Sequence, residues 1–305
     1  MSAYKKMKQD RQKLTAKTFY EPFLFLLPFL LGIAVFTLYP FVNVILISFK
    51  EGYKMLTREF TAWGFKNYED VISDPNFLNG LKNTALYTLF VVPIATALSL
   101  FIAIMLNKDI RLKGLFQTCY FLPMVTSITA VGLVWKWLFN YDYGLINYLI
   151  TLFGGTAINW LNNPVYNLPA LILYGIWSMI PFTTILLLAG FQNVNPQYCT
   201  AARVDGAKEG LIFRRITLPL IAPTIGLTLI VNMISASKVF SELFPLFNGQ
   251  PGTAYSLYTV VYYLYDQFYV KWKLGRAAAS AVILFAIVLV LTMIQLFIQR
   301  KWKNY

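Results

Sequence analysis

The chain alternates between long apolar stretches and shorter polar ones. A helix needs about 20 mostly apolar residues to cross the hydrocarbon core of a bilayer. Six stretches reach that length, at residues 23–49, 84–106, 115–139, 168–191, 216–239 and 277–298. Their apolar residues run continuously instead of alternating with polar ones, which favours helices and argues against a β-barrel. We therefore predict an all-α membrane protein with six transmembrane helices.

The positions of lysine and arginine predict the orientation of these helices. Sixteen of the 26 Lys and Arg residues lie before the first span or after the second, fourth and sixth spans. Basic loops stay on the cytoplasmic side, so both termini are expected in the cytoplasm. The predicted organisation is a basic cytoplasmic segment (residues 1–22), a six-span transmembrane domain (23–299) and a cytoplasmic tail (300–305).

Composition excludes several classes of function. Charged residues make up 13% of the chain, about half the share of a soluble protein, and the mean hydropathy is +0.57. The absence of histidine excludes Ser-His and Cys-His catalysis and histidine metal sites, and no metal site is expected. No GxxxxGK[ST] phosphate loop is present. In a membrane protein, the net charge of +13 is expected to face anionic lipid and not nucleic acid.

The polar loop at residues 195–219, between the fourth and fifth spans, has signals for a helix of its own. Asn195 is a good N-cap and Pro196 a good first helical residue. Gly206 suits the left-handed position that commonly ends a helix. The loop is therefore predicted to project a short helix into the cytoplasm, followed by a second helix that merges into span five.

This loop resembles the EAA loop of the membrane-spanning subunits of ABC importers. The family pattern is E-A-A, three residues, G, nine residues and I-x-L-P. The matching residues here are Thr200, Ala201, Ala202, Gly206, Ile216, Leu218 and Pro219, with the spacing intact. Asp205 and Ala207 beside the glycine resemble the carbohydrate-uptake branch, which includes maltose-type and glycerol-phosphate-type permeases. The departure is Thr200, which keeps a hydrogen-bonding group but lacks the charge of the motif glutamate.

The resemblance implies a type I ABC importer permease fold and a transport subunit without catalytic residues or cofactors of its own. ATP and Mg would be held by two partner ATPase subunits, docked on the loop 196–219. A second permease subunit would complete a heterodimer. An extracytoplasmic binding protein would deliver a sugar or oligosaccharide to the outer loops. The implied location is the cytoplasmic membrane of a bacterium or archaeon.

Polar residues within spans four and five form a candidate substrate pathway. Thr228, Asn232 and Ser235 recur on one helical face of span five. Such residues usually face a bundle interior or a cavity, where they could bind sugar hydroxyls. The resemblance adds that the family holds its sugar between the corresponding spans, at positions matching Trp177, Phe182, Asn232 and Ser235. An equally weighted alternative is that the small polar residues only join the helices.

Two other functions stay open at this point. An ion-coupled secondary transporter would need ionisable residues at mid-membrane, and the spans contain almost none. An importer of this family could instead carry a non-sugar solute such as a glycerol-phosphate ester. The sequence does not identify the solute.

Overall fold

The computed structural model describes residues 16–108 and 113–302, with side chains described for 23–108 and 114–300. Most of the predicted N-terminal segment and the last residues of the predicted tail lie outside the described residues. The α-helices are α1 (Ala16–Ile33), α2 (Tyr39–Ser48), α3 (Lys66–Ile72), α4 (Pro75–Asn107), α5 (Lys113–Val125), α6 (Ile128–Leu138), α7 (Leu145–Leu152), α8 (Pro164–Gln192), α9 (Pro196–Val204), α10 (Glu209–Ile212), α11 (Leu218–Ala236), α12 (Leu243–Phe247), α13 (Val260–Tyr265) and α14 (Leu274–Trp302). Two short antiparallel strands, β1 (Lys50–Glu51) and β2 (Ala62–Trp63), pair with Lys50 opposite Trp63.

Long apolar helices dominate the described part of the chain. Five are long and apolar enough to cross a membrane: Phe23–Ser48, Pro75–Asn107, Pro164–Gln192, Glu209–Ala236 and Leu274–Arg300. They correspond to the first, second, fourth, fifth and sixth predicted stretches. Helix α8 begins four residues before the fourth predicted stretch. Asn163 caps this start, since its Oδ1 accepts a hydrogen bond from Val165 N at 3.0 Å.

The prediction of one continuous helix over residues 115–139 is wrong. This stretch forms α5 and α6, which meet at an angle of 101°. Pro123 lacks the backbone donor that an uninterrupted helix requires. The Thr126 hydroxyl donates to Leu122 O at 2.8 Å, and Ser127 is extended with ψ at 132°. The chain therefore leaves the helix at residues 126–127, and the pair counts as one span only if its two halves are taken together.

Two prolines are preceded by π-helical turns. The turn at Ala34–Leu38 comes just before Pro40, and the turn at Phe213–Thr217 comes just before Pro219. In each case the residue before the proline donates to the carbonyl five positions back, as Leu218 N does to Phe213 O. A proline ring clashes with the carbonyl four positions earlier, and the wider turn relieves this clash. The start of span five therefore contains a π turn.

The core consists of two apolar clusters with buried polar residues between them. The outer cluster joins α4 and α8 to the loops around α12 and α13. The inner cluster is smaller and contains Ala103, Leu187, Phe191 and Ile221. A layer of buried polar residues on α4, α8 and α11 separates the two clusters. This polar layer consists of Thr96, Ser99, Thr183, Thr184, Thr228 and Asn232. Three helices thus bring polar side chains together near the middle of their length.

Candidate functional site

The loop between α8 and α11 contains a separate short helix, as predicted. Helix α9 begins at Pro196, and Asn195 Oδ1 accepts a hydrogen bond from Gln197 N at 3.0 Å. Proline loses nothing at this position, because its missing N–H would have no partner within the helix. The predicted cap and first residue of the helix are both confirmed.

Gly206 ends α9 in the left-handed conformation, with φ at +81°. Ala207 N donates to Ala202 O at 2.9 Å, and Gly206 N donates to Arg203 O at 3.0 Å. These two bonds satisfy carbonyls that a helix end would otherwise leave without partners, in the arrangement known as the Schellman motif. Beyond the turn, Arg203 Nε donates to Glu209 Oε1 at 2.6 Å and ties α9 to α10. The glycine turn thus sets the direction of α9 relative to span five.

Helix α9 projects away from the core. None of its residues is buried. Val204 is 82% exposed and Tyr198 is 55% exposed, although both side chains are apolar or aromatic. The Thr200 hydroxyl donates back to Pro196 O at 3.1 Å, so it bonds within its own helix. A nine-residue helix without a buried face gains no stability from the core, and its surface is free to bind a partner.

The residues predicted for coupling occupy two adjoining places. Thr200, Ala201, Ala202, Asp205, Gly206 and Ala207 lie on α9 and its terminal turn. The other three lie on the π turn and at the start of α11: Ile216, Leu218 and Pro219. Leu218 packs there against the inner cluster. Cys199 Sγ and Thr217 Oγ1 approach to 3.9 Å and connect the two places. A displacement of α9 would therefore act directly on the start of α11.

Asn232 is the centre of the polar layer. Its Nδ2 donates to Thr183 Oγ1 at 3.0 Å and to Thr96 Oγ1 at 3.2 Å, so one amide joins α11 to both α8 and α4. Asn232 is only 1% exposed. Close by on α8, the buried Thr184 hydroxyl has no partner among the described residues. The sequence singled out Asn232, but not Thr96 or Thr183, because only the fold brings the three helices to the same depth.

The five predicted pathway residues do not share one environment. Phe182 is 39% exposed, Ser235 is exposed and Trp177 is half-buried. Thr228 and Asn232 are buried, and the Thr228 hydroxyl donates to the backbone of its own helix at 2.7 Å. Three of the five side chains are thus accessible on this chain, and two are enclosed by it. Their role in substrate passage stays a prediction.

An aromatic group adjoins Trp177 where the polar layer borders the cluster around α12 and α13. Trp135 of α6 lies 5.5 Å from Trp177 and 5.8 Å from Tyr174, measured between ring centroids. Both pairs are edge-to-face, an arrangement that fixes ring orientation. Trp135 was not among the predicted residues. Its signal in the sequence was weak, because only the sharp bend between α5 and α6 brings it to α8.

Comparisons with known proteins agree on one family. Residues 95–304 match the family described as binding-protein-dependent transport system inner membrane component. The arabinooligosaccharides transport system permease protein AraP of Bacillus subtilis is 31% identical, over 93% of this chain and 90% of that protein. The trehalose/maltose transport system permease protein MalF of Thermococcus litoralis is 30% identical, over 94% and 97% respectively. A chain in the crystal structure of a bacterial alginate ABC transporter, in complex with an alginate pentasaccharide-bound periplasmic protein, superposes with a TM-score of 0.80 at 23% identity, covering 95% of this chain and 98% of that one.

Proposed function

Because the chain belongs to the family of binding-protein-dependent transport system inner membrane components, we propose that it is a permease subunit of an ATP-driven importer for a sugar or oligosaccharide. Relatives of 30–31% identity that align over nearly the whole chain are named as permeases for arabinooligosaccharides and for trehalose and maltose. The single observation that carries the proposal is α9, a capped helix without a buried residue, at the position of the family's coupling loop.

In the proposed topology the chain crosses the cytoplasmic membrane six times. The bent pair α5 and α6 supplies the third crossing, beside the five long apolar helices. Both termini and α9 then lie in the cytoplasm, in agreement with the distribution of lysine and arginine. The loops around α7, α12 and α13 lie on the outer side.

Coupling to ATP is proposed to run through α9. Two partner ATPase subunits, which carry ATP and Mg, would bind the permeases, one of them on the exposed surface around Thr200 and Val204. A second permease subunit would form a heterodimer with this chain. An extracytoplasmic binding protein would dock on the outer loops. Closure of the ATPases would push on α9, and the Gly206 turn and the π turn before Pro219 would pass the movement to α11.

Transport is proposed to follow alternating access. Movement of α11 against α8 would open a pathway first to the outside and then to the cytoplasm. Trp177, Phe182 and Ser235 are accessible on this chain and would contact the sugar beside the second permease. Thr228 and Asn232 would act from the polar layer, where a shift of α11 would change the bonds of Asn232 to α4 and α8.

Two alternatives are less well supported. Ion coupling would need an ionisable side chain at mid-membrane, whereas the buried polar residues of α4, α8 and α11 are Asn, Ser and Thr. A glycerol-phosphate ester or another non-sugar solute would be carried by the same fold and the same coupling loop. The choice between these solutes depends on a substrate test.

Affinity purification of the tagged chain from its native membrane in mild detergent tests the proposal. The expected result is recovery of an ATPase, a second permease and a binding protein, followed by ATP-dependent uptake of a neutral sugar in proteoliposomes. Recovery of the chain as a homo-oligomer that transports without ATP would refute it. Uptake of glycerol phosphate, with no uptake of sugars, would keep the importer class and replace the substrate.

A further inference from the structure

A polar cavity of about 510 Å³ opens between two outer segments of the chain. One wall comes from residues 136–162, which include the end of α6 and the loop on both sides of α7. The other comes from residues 246–254, at the end of α12 and in the loop that follows. The volume lies within the range of small-molecule sites, about 300–1,000 Å³. None of the five predicted pathway residues lines it.

The walls of this cavity are held in place by bonds that cross between segments. Asn147 is 4% exposed, and its side chain binds Tyr141 O, Ile158 N and Ile158 O at 2.9–3.1 Å. Thr253 Oγ1 donates to Leu161 O at 3.1 Å, and Lys136 Nζ donates to Asn248 Oδ1 at 2.6 Å. The cavity is therefore preformed within the folded chain, as a binding site requires.

Primary amides dominate the polar lining. They belong to Asn140, Asn159, Asn162, Asn248 and Gln250. Asn140, Asn159 and Asn248 each use the side-chain oxygen to accept a bond from this chain, and the NH₂ group has no partner among the described residues. The Asn162 and Gln250 amides have no side-chain partner at all within the same part of the chain. Amides that offer free donors and acceptors match the paired hydroxyls of a sugar.

The charge of the cavity points to a neutral ligand. Lys136 and Asp142 are the charged residues in its lining, and their formal charges cancel. A phosphate ester or an acidic sugar would meet no excess of positive charge here. Tyr141, which is 50% exposed, adds an aromatic ring to the amides. A pocket that receives a side chain of a partner protein is typically apolar with a polar rim. In this cavity the polar groups extend through the whole lining.

We infer that this cavity, hereafter the amide cavity, is an outer subsite for a neutral oligosaccharide on its way from the binding protein to the membrane pathway. The inference rests on the proposed function and adds a location and a charge class for the substrate. It assigns sugar contact to Asn162 and Gln250, whose side chains form no hydrogen bond with the described residues and lie on separate walls.

Cysteine protection tests this inference at the cavity itself. In the full importer complex, Cys119 and Cys199 are replaced by serine and Asn162→Cys is introduced. A membrane-impermeant maleimide is applied from outside, with maltotriose, trehalose or arabinotriose present. We expect at least one of these sugars to slow labelling, and digalacturonate, an acidic disaccharide, to have a weaker effect. The matched control is Asn76→Cys, an exposed asparagine of α4 outside the cavity, which no sugar should protect.

A second substitution tests the assigned contact. Adding Gln250→Ala should raise the sugar concentration for half-protection by about threefold to tenfold, the effect of losing one hydrogen bond. The reciprocal variant, Gln250→Cys with Asn162→Ala, gives the same test if the first protein fails to fold. Equal half-protection concentrations in the presence and absence of the second amide would overturn the inference.

Other results separate the subsite from the proposed function. Protection by the sugar-free binding protein and by none of the three sugars would show that the cavity binds a protein, and would overturn the inference. ATP-dependent sugar uptake with no protection would also overturn it, while the proposed function would stand. Protection by sugars in a complex that takes up no sugar would support a sugar site and remove the proposed function.

Discussion

Replacing Gly206 should uncouple ATP hydrolysis from transport without unfolding the protein. A Cβ atom at residue 206 would lie more than 4 Å from every described atom outside its chain neighbours, so the cost arises mainly from the backbone. The left-handed conformation at φ +81° costs an L-residue about 1–2 kcal/mol, and a β-branched residue is the least suited to it. That cost lowers the population of the intact turn, relative to other conformations of this segment, by a factor of about 5–30.

The two bonds of the Schellman motif depend on this conformation. Without it, Ala207 N and Gly206 N no longer reach the carbonyls of Ala202 and Arg203, and α9 loses its fixed direction. The apolar core is unaffected, because α9 contributes no buried residue. The thermal unfolding temperature should therefore stay near that of the wild type, while the amount of sugar imported per ATP hydrolysed falls several-fold in Gly206→Val.

A graded series makes the test specific. Uptake per ATP, measured in proteoliposomes, should decrease in the order Gly206, Gly206→Asn, Gly206→Ala, Gly206→Val, because asparagine tolerates the left-handed region best among these replacements. Gly210→Val is the matched control, since Gly210 lies in α10 without a positive φ and with open space around it. It should couple normally. Wild-type uptake per ATP in Gly206→Val would refute the reasoning, as would an equal loss in Gly210→Val.

Three further substitutions test other parts of the proposal. Thr200→Glu restores the charge of the motif glutamate at an exposed position, so co-purification of the ATPase should resist more salt than in the wild type; weaker co-purification would contradict a docking role for α9. Asn232→Leu leaves the buried Thr96 and Thr183 hydroxyls without this partner and should lower stability by about 1–2 kcal/mol, seen as a lower unfolding temperature in detergent, and an unchanged temperature would show that the polar layer holds no helices together. Trp177→Ala should reduce sugar uptake with little change in the ATPase rate, and full uptake would remove Trp177 from the pathway.

Features that depend on neighbouring residues could be predicted well from the sequence. A segment in lipid must satisfy its backbone hydrogen bonds internally, so a continuous apolar stretch is enough to predict a helix there. Five of the six predicted stretches are long helices in the structure. The ends of α9 could be predicted equally well, because Asn195, Pro196 and Gly206 affect the backbone only within a few residues of themselves.

The failure at residues 115–139 has a local cause that hydropathy cannot detect. The apolar pattern continues through Thr126 and Ser127, yet the chain bends there by 101°. Pro123 was visible in the sequence, but a proline alone does not decide between a kink and a break, since neighbouring helices can satisfy the freed backbone groups. In the broken form α6 packs against α12, and Gly132 permits the close approach to Pro245.

Tertiary structure alone decided which polar and aromatic side chains meet. The sequence placed Asn232 on a polar face, but its partners Thr96 and Thr183 lie 136 and 49 residues away. Trp135 reaches Trp177 only after the bend between α5 and α6. The amide cavity joins residues 136–162 to residues 246–254, and nothing in either segment alone predicts that the two meet. The length of an apolar stretch and the cap of a helix are properties of a single segment, whereas these contacts depend on how segments pack. The sequence by itself therefore determined the spans and the projecting helix, and the tertiary structure determined the polar layer and the cavity.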